Sequence, residues 1–127
     1  MILPVLKNFT VTKGVTFDYG WQWLAGIPGS NAPQPLNGYT GRMSITDWNA
    51  SVTYQTLVTG NTQPASGIYF GFSGDPSDGV INILISATDT AAFTFTTARY
   101  NFSVTAEDGI TVTRLLYGTV VVDGSLP

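Results

Sequence analysis

Apolar and polar residues alternate with period two along most of this chain. Val15, Phe17, Tyr19, Trp21 and Trp23 alternate with Thr16, Asp18, Gly20 and Gln22, which predicts a strand with one apolar face. Residues 26–35 hold too much Gly and Pro for a ladder and predict a long surface loop. Tyr39, Gly41, Met43 and Ile45 then face one way along a second strand, with Thr40, Arg42, Ser44 and Thr46 facing the other. Residues 51–59 supply a third run of β-formers (Val52, Tyr54, Leu57, Val58), ended by the turn signal Gly60-Asn61. Ile68-Tyr69-Phe70-Gly71-Phe72 reads as a short buried strand, and residues 74–79 as a turn built on Pro, Asp and Gly. The pattern resumes over residues 80–86, with Ile81, Ile83 and Ile85 on one face.

Residues 87–93 are the one stretch suited to a helical turn, with a Thr or Asp as its cap. Tyr100, Phe102, Val104 and Ala106 alternate up to Glu107-Asp108-Gly109, where Asp-Gly predicts a tight hairpin, and the chain runs back from Ile110 to Val122. Together these make about seven or eight strands with turn signals at short intervals and no amphipathic helix. That pattern predicts an all-β fold, two antiparallel sheets packed face to face, with a small closed barrel as the alternative. The division expected is an N-terminal arm over residues 1–12, a candidate for an added strand, then a sandwich over 13–123 and a tail over 124–127.

Composition narrows what such a fold does. At 127 residues the chain fits one domain. Only 10% of residues are charged, against a usual quarter, while 43% are hydrophobic, so the chain has a core to bury and a surface dominated by hydroxyls and amides. Such a surface points to a part that is covered by neighbours. His and Cys are absent, which excludes Ser-His-Asp and Cys-His nucleophilic sites, imidazole or thiolate zinc sites, and disulfides. Five dispersed cations (Lys7, Lys13, Arg42, Arg99, Arg114) on a chain of net charge −3 predict no nucleic-acid partner. No run is apolar enough for a membrane span, and no signal peptide is expected. The Asn-x-Ser/Thr triplets at Asn8, Asn49 and Asn101 are what chance gives in so hydroxyl-rich a chain.

The remaining acid–base groups are carboxylates. Asp75, Asp78, Glu107 and Asp108 fall in predicted turns, where Asp serves the backbone, and Asp18 and Asp47 fall on strands. Calcium binding through Asp75, Asp78 and Asp89 lacks the EF-hand spacing. No cofactor or metal is expected. Of the aromatics, Tyr19, Trp21 and Trp23 share the core parity, whereas Trp48 has the opposite parity to Met43 and Ile45 and is expected to be exposed, for a partner or a glycan. The three arginines lie in strands of apolar and hydroxyl residues, suited to a solvated face or to an intersubunit ion pair.

Several blocks follow one another in an order met in small virion proteins of tailed bacteriophages. They are Gly14-Val15-Thr16-Phe17, Leu36-Asn37-Gly38-Tyr39-Thr40-Gly41-Arg42-Met43, the run from Gly79 to Ala91, Arg99-Tyr100-Asn101-Phe102-Ser103-Val104, and Arg114-Leu115-Leu116-Tyr117-Gly118-Thr119-Val120. In order and spacing this resembles the N-terminal immunoglobulin-like domain of phage baseplate upper proteins, over roughly residues 14–122. Tyr100-Asn101 departs from the expected Tyr-Asp pair, and the loop over residues 26–35 is long. The resemblance implies an immunoglobulin-like antiparallel β-sandwich and a non-enzymatic structural part of a virion. Tail, baseplate or fibre attachment comes first and capsid decoration (cement) second. Apart from the resemblance, Trp48 and neighbouring Tyr residues leave a carbohydrate-binding adhesion module as a further reading, and an enzyme with a carboxylate pair ranks last. Partners are then other virion proteins and further copies of the chain. Contacts are expected from the arm and the Pro-rich loop, neither of which buries itself easily in a sandwich. The residues singled out are Pro4, Val5, Leu6, Phe9, Ile27, Pro28, Pro33 and Pro35, with Arg42 and Trp48.

Overall fold

A computed structural model describes residues 5–23, 35–60, 65–71 and 79–124. Pro4, Ile27, Pro28 and Pro33, most of the Pro-rich loop, Asn61 and the Asp75–Asp78 turn lie outside the described residues. Among those described, nine strands and one short helix follow in the order β1 (Val5–Leu6), β2 (Phe9–Thr12), β3 (Phe17–Gln22), β4 (Thr40–Thr46), β5 (Thr53–Val58), β6 (Gly67–Phe70), β7 (Val80–Ile85), α1 (Ala87–Ala91), β8 (Thr97–Thr105) and β9 (Val112–Asp123). They form two sheets. The larger runs β1-β9-β8-β4-β5 with β2 also on β9, and the smaller runs β3-β7-β6. The fold is an all-β two-sheet sandwich, as the period-two pattern predicts.

The inner faces supply the core. From the larger sheet come Met43, Ile45, Tyr100, Phe102, Val104 and Val120, and from the smaller Ile68, Ile81, Ile83 and Ile85, all at most 1% exposed. Each such side chain taken from water stabilises the fold by roughly 1.5–3 kcal/mol. The isoleucines of β7 share one face because they stand two residues apart, and they are fully buried because β7 is the central strand of its sheet, flanked on both sides. Tyr19 and Trp21 take the core side of β3 as expected but stay half-exposed, since β3 is an edge strand. Val15 is left outside, in the turn before β3.

Two features depart from expectation. The arm, expected to make contacts beyond the domain or to add a strand to a neighbour's sheet edge, instead lies from Val5 to Thr12 along β9 of its own chain, in parallel, with Phe9 opposite Val120 and Val11 opposite Val122. Phe9 is therefore a core residue and not a contact residue, packed against Phe17, Tyr19 and Tyr100 at centroid distances of 5.3, 4.9 and 5.1 Å. What admits it is Gly118, whose backbone lies so close to Lys7 and Asn8 that a Cβ would overlap the Lys7 carbonyl. That carbonyl accepts the buried Tyr100 hydroxyl at 2.6 Å, and the Asn8 side chain accepts the Thr119 N–H at 3.1 Å. Burial pushes the Tyr100 hydroxyl well above its ordinary pKa, with Tyr19 adding to the shift, so it stays a donor.

The second departure is the end of the hairpin. Thr105 opposite Val112 is the last ladder pair, Ala106 N–H donates to the Thr111 carbonyl, and Gly109 N–H to the Ala106 carbonyl, so the loop has four residues rather than two. Gly109 has φ +74° there, and the Asp108 carboxylate accepts the Thr111 and Ile110 N–H groups and the Thr111 hydroxyl. An Asx turn thus replaces the tighter Asp-Gly turn. Helix α1 starts at Ser86, whose hydroxyl accepts the Asp89 N–H, so the cap is a Ser rather than the expected Thr or Asp. Thr90, fully buried, accepts the Gly14 N–H and ties α1 to the turn between β2 and β3.

Candidate functional site

The site lies on the outer face of the larger sheet. Outward positions alternate along β8 as Arg99, Asn101, Ser103 and Thr105, and along β4 as Thr40, Arg42, Ser44 and Thr46. Strand β9 does not keep simple alternation. Phe102 pairs with Leu116 but Ser103 pairs with Arg114, so Leu115 is an extra residue, a β-bulge, and both leucines turn inward. The bulge is why Arg114 and Tyr117, three apart in sequence, share the outer face. The Arg114 guanidinium lies 4.8 Å from the Tyr117 ring centroid, a cation–π contact.

Trp48 approaches from the side, on the loop between β4 and β5. Here Asp47 acts as a clamp. One carboxylate oxygen accepts the Ser51 N–H (2.7 Å) and the Val52 N–H (3.2 Å), and the other the Ser51 hydroxyl (2.6 Å). Asp47 N–H donates to the Val52 carbonyl and Ala50 takes a positive φ of 57°. The Ser51 hydroxyl first, then the Val52, Ser51 and Asn49 N–H groups, hold the Asp47 carboxyl below its ordinary pKa. Fixed in this way, Trp48 stands 56% exposed while its carbonyl accepts an Arg99 Nη1 hydrogen bond at 3.1 Å.

The result is a groove of about 310 Å³ lined by Leu6, Trp48, Arg99, Asn101, Arg114 and Tyr117, floored by Tyr100, Gly118 and Thr119. Its lining holds two guanidinium groups and no carboxylate, on a chain whose net charge is −3. Only one of Arg99's five N–H donors goes to Trp48. The groove thus brings aromatic, cationic and amide groups together on one face.

Of the residues singled out from the sequence, Leu6 and Trp48 meet in this groove. Val5 is exposed beside it on β1, at the sheet edge. Arg42 is exposed on the same outer face but two strands from β9, outside the lining. Pro35 is exposed just before the buried Leu36. Asn101, Tyr117 and Thr119 were not anticipated. Arg99 and Arg114 stood out as cations, but what brings them together is the bulge. The acids do other work: Asp47 and Asp108 hold their own loops, and Asp89 accepts from Ser66. Among the described residues, no group of three acidic side chains is placed to hold a metal ion. No family model and no curated protein matches the chain.

Proposed function

We propose that the chain is a non-enzymatic structural module that docks into a larger particle through the outer face of its larger sheet. The observation that carries this is the prepositioned groove, where a clamped Trp48 stands beside Arg99 and Arg114 on an otherwise hydroxyl-lined surface. Hydroxyl-rich sheet faces enter interfaces at low desolvation cost, and aromatic and Arg side chains are the usual anchors within them. The setting follows from the resemblance in the order of sequence blocks: a tailed-phage virion, with an immunoglobulin-like domain at the tail, baseplate or fibre and capsid decoration as the alternative. Partners are other virion proteins and further copies.

The test is incorporation. Particles assembled with the wild-type chain should contain it, whereas Trp48→Ala and Arg114→Glu chains should fold normally and be missing from purified particles. Normal incorporation of both variants would remove the groove from assembly. Absence of the wild-type chain from particles would remove the virion setting. A second reading, carbohydrate adhesion, is supported by the exposed Trp48 face beside Asn101 and Arg114; glycan-array binding by the wild-type chain that Trp48→Ala abolishes would establish it.

A further inference from the structure

The groove has a counterpart on the same molecule. Beyond the last ladder pair of β8 and β9, the hairpin tip presents Ile110 at 83% exposure and Val112 at 62%, beside the exposed acids Glu107 and Asp108. The turn itself needs only Asp108 and Gly109, so Ile110 is not there to form it, and with Val112 it makes an exposed apolar pair. The tip is also stiff. Asp108 accepts three hydrogen bonds from Ile110 and Thr111, which hold its carboxyl below the ordinary range, and the Glu107 stem lies over Gly38.

We propose that the groove of one copy receives the β8–β9 hairpin tip of another. The inference rests on the assembly role above and names the partner: a second copy of this chain. The two surfaces match in charge, two guanidinium groups against two carboxylates. They also match in character, since Ile110 supplies the apolar group that Leu6, Trp48 and Tyr117 are placed to cover. About 310 Å³ lies at the small end of the roughly 300–1,000 Å³ of ligand pockets and has room for one or two side chains. The tip does not reach the Trp48 end of its own groove. It stands beyond Thr105, six residues along β8 from Arg99 and hence roughly 20 Å from it at ~3.3 Å per residue, while Arg114, opposite Ser103, is the lining residue nearest the tip. Groove and tip are different patches of one surface, so the contact either closes reciprocally in a dimer or repeats from copy to copy.

Complementation tests this directly. The wild-type chain should show concentration-dependent mass growth by sedimentation equilibrium, weakened at high salt as surface ion pairs are. Arg114→Glu, which spoils the groove, and Ile110→Ser, which spoils the tip, should each stay monomeric with unchanged melting profiles. Mixed, they should form a 1:1 complex, because one retains a sound tip and the other a sound groove. A wild-type chain that stays monomeric throughout, variants that associate like wild type, or a mixture with no complex would each overturn the contact. So would a monomeric wild type that binds free sialic acid and loses it on Arg114→Glu, which gives the groove to carbohydrate. Incorporation into particles is read separately. If it persists while complementation fails, the tip–groove contact falls and the docking role stands; if complementation succeeds without incorporation, the reverse holds.

Discussion

Strands β8 and β9 turn two unlike sides to their surroundings. Inward, Ala98, Tyr100, Phe102 and Val104 are closed off from water and packed against the isoleucines of β7 and the arm. Outward, at the alternate positions, Arg99, Asn101, Ser103 and Thr105 are partly solvated, and Arg99 and Asn101 join Arg114 and Tyr117 around the groove. The inner side carries the stability and the outer side the recognition, yet one backbone holds both. Each outer side chain is fixed by the packing of the residue next to it, so the groove is in place before any partner arrives.

Substitutions that separate the two sides differ in size. Phe102→Ala, at the centre of the inner face, should destabilise the fold by about 3–5 kcal/mol in urea titrations and open the groove with it. Gly118→Ala places a Cβ against the Lys7 carbonyl in a backbone conformation (φ +155°) that side chains disfavour, and should cost roughly 1–3 kcal/mol, with exchange protection lost first along the arm. Tyr100→Phe removes only the hydroxyl that holds Lys7; a loss of about 1–2 kcal/mol is expected, read by the same denaturation. On the outer side, Trp48→Ala should move stability by no more than about 0.5 kcal/mol while abolishing association, and a larger shift would show that the groove is part of the core after all.

The smallest expected effect is that of pH on the Trp48 loop. Because Asp47's carboxyl is held below its ordinary pKa in the folded chain, the clamp is fully formed above the ordinary Asp range. It loosens as pH falls through the depressed folded value. Amide shifts of Ser51 and Val52 should follow that single titration, and Asp47→Asn should flatten it.

Much of the inner side was legible in the sequence, since β7 and β8 bury every second residue and a two-residue period needs no knowledge of partners. The arm was not legible. Phe9 is buried only because Gly118, far along the chain, leaves a space that Lys7 and Asn8 enter, and no local pattern records such a vacancy. The groove was legible in part. Trp48 is exposed as expected, but through the Asp47 clamp rather than through strand parity, for β4 ends at Thr46. Arg114 and Tyr117 have opposite parity on any regular strand, so their meeting was hidden until the bulge was seen.

That bulge also governs how the chain can change in length. Elsewhere in β9, loss of one residue turns the following side chains inside out, apolar ones to water and arginine to the core. At Leu115 the same loss straightens the strand: Leu116 remains opposite Phe102 and Arg114 opposite Ser103, and one buried leucine is all that disappears. The position that aligns the groove is therefore also the joint at which β9 tolerates a deletion.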